Sequence, residues 1–183
     1  MTITAWLILG LVAGVIIGLT IDRLLRPGAV RRFTPSSGRR IVFPFVGTAI
    51  TQRALDAALR LAKAERATLI PVYLARVPLH LPLDAALPRQ ARIATELLET
   101  IDQVASRRGV PVETRIERGR SVRHALQELA GHEHFYRMVM ATATREHDGL
   151  EPEDVAWALR YIPGEIVVLR PGDTPIADLP RHL

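Results

Sequence analysis

Residues 40–46 read Arg-Ile-Val-Phe-Pro-Phe-Val, a short and almost uninterrupted apolar run. Runs of this kind are typical of a parallel β-strand that is buried on both faces. Residues 51–67 follow with an amphipathic period, because Leu55, Leu59 and Ala62 share one helical face and charged residues lie elsewhere. A buried strand followed at once by an amphipathic helix predicts an α/β fold.

The chain repeats this alternation as far as residue 170. The remaining predicted elements are a strand at 68–77, a helix at 89–108, a strand at 110–117, a helix at 121–132, a strand at 135–143, a helix at 152–161 and a strand at 165–170. Gly109 and Ser121 are candidate helix caps. The alternation predicts a five-stranded parallel sheet with helices on both faces. Ligands of such sheets bind beyond the carboxyl ends of the strands.

A transmembrane helix is predicted for residues 1–25. Residues 3–21 form an uncharged run of 19 residues, which as a helix spans about 28 Å, close to the hydrocarbon thickness of a bilayer. A buried core helix would show a polar stripe, and this run shows none. A cleaved signal peptide would begin with positive charge, but only Met1 and Thr2 precede the run.

The flanking charge predicts the orientation of this span. Arginines 23, 26, 31 and 32 all follow it, so the positive-inside rule places the soluble domain in the cytoplasm and the N-terminus outside the cell membrane. We expect Arg23, Arg26, Arg31 and Arg32 to contact anionic lipid headgroups. Residues 26–39 are rich in proline, glycine and serine, and we interpret them as a basic flexible linker.

Three glycines recur at every fourth position of the predicted span. Gly10, Gly14 and Gly18 therefore share one helix face, and small residues on one face let two membrane helices approach closely. The spacing predicts a helix–helix interface. The alternative is that glycine is simply common in membrane helices.

The charge balance argues against a nucleic-acid partner. Residues 1–40 hold six arginines and one aspartate, which equals the whole net charge of +5, so residues 41–183 are formally neutral. Binding to a phosphate backbone requires a basic face. The chain has no cysteine, which excludes disulfides, thiolate metal sites and cysteine nucleophiles.

The order of the motifs in residues 40–170 resembles the universal stress protein family. The resemblance rests on Ile41–Thr48 leading into Arg53-Ala54-Leu55, on Glu117-Arg118-Gly119, on Met138-Val139-Met140 and on Tyr161-Ile162-Pro163. It implies a domain at 40–171 with strand order 3-2-1-4-5 and a homodimer formed through the last strand. An exposed edge strand favours such pairing on physical grounds as well. Residues 172–183 are predicted to be an irregular tail.

Nucleotide-binding members of that family differ from this chain at two places. They carry an aspartate where this chain has Val46, and a glycine-rich loop after the fourth strand. Aligned from the start of the loop, the pattern G-x2-G-x9-G-[ST] places Ala141, Thr144, Asp154 and Val155 at its motif positions. Aligned from the downstream proline, the last two positions become Pro152 and Glu153. Phosphate loops use glycine so that backbone N–H groups can reach the oxygens.

No cofactor is therefore expected, with ATP or another adenine nucleotide as the alternative. If a nucleotide binds, the resemblance points to Gly47, Thr48, Thr142, Thr144 and Arg145 as its contacts. These residues follow the first and fourth strands and supply hydroxyls, backbone N–H groups and one cation.

Other chemistry receives less support. His132 and His134 invite a metal site, but two histidines at a helix end need not face the same way. His147 and Asp148 lie in the loop at the ligand edge, either as an acid–base pair or as two polar loop residues. No nucleophile with a positioned base is apparent, so an enzyme is not predicted.

The sequence thus predicts a membrane-tethered, universal-stress-protein-like domain with a regulatory or scaffolding role in stress response. One alternative is a nucleotide-binding sensor or weak nucleotide hydrolase with a divergent phosphate loop. Another is an accessory subunit of a transporter or respiratory membrane complex. The expected partners are a second copy of the chain, membrane lipid and an integral membrane complex.

Overall fold

A computed structural model describes residues 38–143 and 148–170. Five strands alternate with four helices in this part of the chain. The strands are β1 Arg40–Phe45, β2 Thr68–Arg76, β3 Arg115–Gly119, β4 Arg137–Ala141 and β5 Glu165–Leu169. The helices are α1 Gln52–Glu65, α2 Pro88–Arg108, α3 Val122–His132 and α4 Pro152–Tyr161.

The five strands form one parallel sheet in the order β3-β2-β1-β4-β5, as predicted. β1 lies at the centre, where Ile41 pairs with Leu69 of β2 on one side and with Arg137 of β4 on the other. The chain adds β2 and β3 on one side of β1 and then β4 and β5 on the other, so the strand order reverses between β1 and β4. This reversal leaves a crevice at the carboxyl ends of β1 and β4.

Alternate residues of β1 face two separate core layers. Ile41, Phe43 and Phe45 pack with the apolar faces of α1 and α2. Val42 packs on the opposite face of the sheet, with buried residues of α3 and α4. This two-sided burial explains why the sequence of β1 is an apolar run without alternation, and it confirms helices on both faces.

Both predicted helix caps are confirmed. Gly109 ends α2 in the left-handed conformation with φ 69°. The Ser121 side chain begins α3 by accepting a hydrogen bond from the His124 N–H at 3.2 Å.

The third strand begins later than the prediction of residues 110–117. The segment before β3 makes a single bridge, between Val112 and Leu69, and regular pairing starts where Arg115 meets Val72. Pro111 has no N–H and serves only as an acceptor, for the Leu69 N–H at 2.9 Å. The strand in turn continues through Gly119, past the predicted end.

Within residues 38–143 and 148–170, no helix is both long enough and apolar enough to cross a membrane. The predicted span at 1–25, its glycines Gly10, Gly14 and Gly18, residues 26–37 of the predicted linker at 26–39, and the tail at 172–183 lie outside these residues.

Candidate functional site

The crevice at the sheet reversal is formed by the loops that follow β1 and β4. Val46, Gly47 and Thr48 come directly after β1, and Thr142 follows β4. The chain returns to this place at Asp148, after residues 144–147, which the structure does not describe. Crevices of this kind are where ligands of doubly wound sheets bind.

A carboxylate from the second loop binds the first loop. Asp148 Oδ2 accepts a hydrogen bond from the Thr48 N–H at 2.8 Å and another from the Thr48 hydroxyl at 3.1 Å. The two residues are separated by 100 positions in the sequence. The contact thus joins the loops after β1 and β4 across the mouth of the crevice.

Gly47 makes this approach sterically possible. Its φ is +85°, a left-handed conformation that favours glycine. A Cβ at this position would lie 2.6 Å from Asp148 Cγ, which is closer than real Cβ atoms approach other atoms. A side chain at residue 47 would therefore displace the Asp148 carboxylate.

Backbone hydrogen bonds hold the loop that carries Asp148. The Leu150 N–H donates to Ala141 O at 2.9 Å, and the Ala143 N–H donates to Leu150 O at 2.8 Å. Gly149 permits this close approach, since a Cβ there would lie 2.6 Å from Ala143 N. These bonds hold Leu150, two residues after Asp148, against the end of β4.

Tyr73, near the carboxyl end of β2, lies under the same edge. Its ring packs edge-on against Phe45, with 5.7 Å between the ring centroids. Burial raises the pKa of the Tyr73 hydroxyl above its ordinary value of 10.0, and the negative charge of Asp148 raises this pKa further. Asp148 is therefore close enough to Tyr73 to influence its ionisation.

The loop after β1 leads into the N-terminus of α1. Thr51 occupies the N-cap position, but its side chain makes no capping hydrogen bond. Within the described residues its hydroxyl has no hydrogen-bond partner, although only 4% of the residue surface is exposed. The first turn of α1 carries no acidic side chain, so the positive end of the helix dipole is not offset there.

Two arginines at the end of β3 hold the proline-rich loop between β2 and α2. Arg120 Nη1 donates to Pro78 O at 2.6 Å and to Leu81 O at 2.7 Å. Arg118 Nη1 donates to Asp84 O at 3.0 Å. Sequence reasoning missed this role, because main-chain carbonyls accept these bonds and leave no trace in the residue types.

The crevice brings together some of the predicted contacts. Gly47, Thr48 and Thr142 lie at this edge of the sheet, whereas Thr144 and Arg145 fall outside the described residues. The Thr142 N–H is already used, since it donates to Leu169 O of β5 at 3.0 Å. Whether any of the five contacts a nucleotide stays a prediction. Arg23, Arg26, Arg31 and Arg32 also lie outside the described residues.

In the described part of the crevice, a carboxylate lies where a phosphate oxygen could accept a hydrogen bond from Thr48. The Thr48 N–H, a donor that would suit a phosphate oxygen, already binds a carboxylate. A negative side chain at that position repels phosphate. Val46 adds an apolar side chain where the resemblance calls for aspartate. No group of three or more His, Asp or Glu side chains among the described residues is arranged to hold a metal ion.

Comparison with known proteins assigns the family. The model of the universal stress protein family matches residues 38–151, and the chain belongs to that family. A search of curated proteins gave no match.

Solved structures show the same fold. A universal stress protein from Burkholderia pseudomallei is 22% identical with a TM-score of 0.52, and the match covers 74% of this chain and 98% of that one. An Arabidopsis thaliana family member with AMP bound is 12% identical with a TM-score of 0.53, covering 74% and 93%. An Archaeoglobus fulgidus universal stress protein in complex with dAMP is 13% identical with a TM-score of 0.53, covering 71% and 96%.

Proposed function

We propose that this member of the universal stress protein family is a membrane-tethered regulatory or scaffolding domain that acts in stress response through protein contacts. In this proposal it neither catalyses a reaction nor holds a nucleotide tightly. The observation that carries the proposal is the pair of hydrogen bonds from Thr48 to the Asp148 carboxylate at the sheet reversal. The ligand edge is closed by the chain itself.

The contact argues against tight nucleotide binding in two ways. It uses the N–H and the hydroxyl of Thr48, and it places a negative charge where a phosphate would arrive. Glycine is absent from the motif positions Ala141 and Thr144, so side chains stand where a phosphate loop has bare backbone. A nucleotide would have to displace Asp148 and would gain few backbone donors in return.

The same edge lacks the parts of a catalytic site in its described residues. The Thr48 hydroxyl donates to Asp148, but carboxylates are ordinarily weak bases toward an alcohol. None of the histidines in the described residues forms a hydrogen bond or ion pair with Thr48 or Asp148. Nucleophilic catalysis by a hydroxyl requires a stronger base that is itself oriented by a third group.

The tether is supported by the sequence alone. The uncharged run at 3–21 is followed by arginines 23, 26, 31 and 32, which predicts an anchor with the domain on the cytoplasmic side. We expect the full-length chain to sediment with membranes and to resist extraction by carbonate. Protease added to intact cells should leave the domain uncut, and a full-length protein that stays soluble without detergent would contradict the tether.

A homodimer is proposed through β5, which is an edge of the sheet. Its side chains are incompletely covered on both faces: Ile166, Val167 and Leu169 are half-buried and Val168 is 38% exposed. An apolar edge strand tends to pair with another strand. The predicted glycine face of the membrane helix would supply a second contact between the same two chains.

Calorimetry on the full-length chain tests the closed site. We expect no binding of ATP with magnesium, or of AMP, tighter than about 1 mM, which corresponds to about −4 kcal/mol. The Arabidopsis thaliana relative that holds AMP is a suitable positive control under the same conditions. Micromolar binding by this chain, or a nucleotide that copurifies with it, would overturn the proposal of a closed site.

The second candidate is a nucleotide-binding sensor. It is favoured by the solved structures of the same fold in which AMP, dAMP or cAMP is bound. A thermal shift of the full-length chain in ATP and magnesium separates the candidates, since a ligand that binds only the folded state raises the melting temperature. A regulatory domain with a closed site should show no shift.

A further inference from the structure

The loop after β1 retains several properties of an anion-binding loop. The left-handed Gly47 turns the backbone so that the N–H and the hydroxyl of Thr48 converge on one oxygen atom. Helix α1, 14 residues long, begins just beyond this loop at Gln52, with no acidic residue in its first turn. Its N-cap residue Thr51 keeps a buried hydroxyl that lacks a partner among the described residues.

The anion bound to this loop is an internal one. A carboxylate and a phosphate share the chemistry that the loop recognises, since both are negative and accept hydrogen bonds. Leu150, two residues after Asp148, is held at the end of β4 by hydrogen bonds with Ala141 and Ala143. A carboxylate on so short a tether competes at a high effective concentration with any anion in solution.

The internal contact is also weak enough to be replaced. Thr48 and Asp148 are both exposed, so water competes for the two hydrogen bonds and their net contribution to stability is modest. The position of Asp148 thus blocks the loop without making the fold depend on the contact.

We propose that Asp148 is an internal competitor, which occupies the anion position of the Gly47–Thr48 loop and excludes the phosphate group of a phosphomonoester. Removing this one carboxylate uncovers a latent phosphate site. The inference rests on the proposed function, in which the crevice of the natural chain is closed to nucleotide.

The test compares three full-length proteins: the natural chain, Asp148→Ala and Glu153→Ala. Glu153 is an exposed residue in the first turn of α4 and makes no hydrogen bond with Thr48, and its removal changes the net charge by the same amount. Each protein is titrated with inorganic phosphate, AMP and adenosine by calorimetry. The amide resonances of Gly47 and Thr48 are followed by NMR to locate the binding.

Asp148→Ala should bind AMP and inorganic phosphate at least tenfold more tightly than the other two proteins. The Gly47 and Thr48 amides should shift on binding, and adenosine should show no gain because it has no phosphate. A gain for AMP without one for inorganic phosphate would mean that the nucleoside supplies the affinity, which overturns a phosphate site. An equal gain in Glu153→Ala would overturn it too, since net charge would then be the cause.

The failures of the two proposals are distinguishable. If Asp148→Ala stays folded and binds inorganic phosphate and AMP no more tightly than the natural chain, the role of Asp148 as a competitor is disproved. This holds whether or not the natural chain binds AMP. If the natural chain already binds AMP at micromolar concentration, the proposed function fails, and the competitor survives only if Asp148→Ala binds at least tenfold more tightly still. Should Asp148→Ala fail to fold, Asp148→Asn decides. Asparagine keeps the size of the side chain without the charge. A gain of less than threefold in the affinity for inorganic phosphate, relative to the natural chain, would overturn the proposal.

Discussion

Glu133 and Arg40 form an ion pair at the amino edge of the sheet, with Glu133 Oε1 2.7 Å from Arg40 Nε. Glu133 ends α3 and Arg40 begins β1, so the pair joins a helix of one layer to the central strand. The other carboxylate oxygen of Glu133 lies 2.8 Å from Arg115 Nη2 at the start of β3. Only 6% of the Glu133 side chain is exposed, which makes it the buried centre of this contact.

Glu133→Ala should lower the free energy of unfolding by about 2 kcal/mol. Breaking a buried ion pair costs about 3–5 kcal/mol, but Arg40 and Arg115 are partly exposed and keep Glu113 as a partner. Glu113→Ala is the matched control. Its carboxylate is 41% exposed, so we expect a loss below about 1 kcal/mol. Urea unfolding followed by circular dichroism measures both, and equal losses would contradict the central role of Glu133.

Gly47→Ala should destabilise the domain more than Gly109→Ala does. Both glycines have positive φ, so alanine at either position carries a conformational cost of about 1 kcal/mol. A Cβ added at Gly109 would have no atom within 4 Å, whereas a Cβ added at Gly47 would meet the Asp148 carboxylate. We expect an extra loss of about 1 kcal/mol at Gly47, from the hydrogen bonds that break.

The same extra loss should disappear in an Asp148→Ala background. A double-mutant cycle of Gly47→Ala with Asp148→Ala measures this coupling in the free energy of unfolding. Additive effects would show that residue 47 and Asp148 do not touch in solution.

The two N-caps of α3 and α1 should respond oppositely to the loss of a hydroxyl. Ser121→Ala removes the acceptor of the His124 N–H and should cost about 1 kcal/mol. Thr51→Val removes a buried hydroxyl that makes no hydrogen bond in the described structure, and it should be neutral or stabilising by up to about 1 kcal/mol. Thermal melts compare the melting temperatures of Ser121→Ala and Thr51→Val with that of the natural chain. A lower melting temperature for Thr51→Val would show that its hydroxyl has a partner.

The raised pKa of Tyr73 should lower the free energy of unfolding as the pH rises above 10.0. Its pKa is raised in the folded state, chiefly by burial and secondly by Asp148, so above pH 10.0 the unfolded chain loses a proton that the folded chain keeps. Unfolding then releases a proton, and the free energy of unfolding falls as the pH rises, until Tyr73 ionises in the folded state as well.

The charge of Asp148 can be read from the same tyrosine. Asp148→Asn should lower the pKa of Tyr73 and leave it above 10.0, because burial, the larger cause, remains. Absorbance of tyrosinate during a pH titration gives this value, and Tyr73→Phe identifies the signal. An unchanged titration in Asp148→Asn would place the carboxylate away from the crevice.

Self-association should involve β5 and the predicted membrane helix. Val168→Lys puts a charge on an exposed position of the edge strand and should weaken the dimer, as charged edges resist pairing. Gly14→Ile should weaken contact between the membrane helices. Glu165→Lys is no control, since Glu165 pairs with Arg137. Ile116→Lys on the opposite edge strand serves instead. Light scattering in mild detergent that finds monomers of the natural chain would contradict both contacts.

The amino-acid sequence by itself predicts the order of the strands and helices along the chain and a parallel sheet covered by helices on both faces. The apolar run at 40–46 and the helical periods that follow it are local signals, because burial on two faces excludes polar residues and a helix repeats its buried face every three to four residues. Caps such as Gly109 and Ser121 are local as well, since a cap acts within four residues of itself. The predicted bounds of the third strand, 110–117, are less accurate, because pairing with β2, rather than composition, sets where β3 begins.

Tertiary structure decided what stands in the crevice. From the sequence, Asp148 is either a member of an acid–base pair with His147 or a polar residue of the ligand-side loop, and Val46 marks a missing carboxylate. The fold brings Asp148 to Thr48 across 100 positions, because parallel crossovers carry the carboxyl ends of β1 and β4 to the same edge. A hydrogen bond between distant loops depends on distance and direction within about an ångström, and no residue pattern along a chain contains that information.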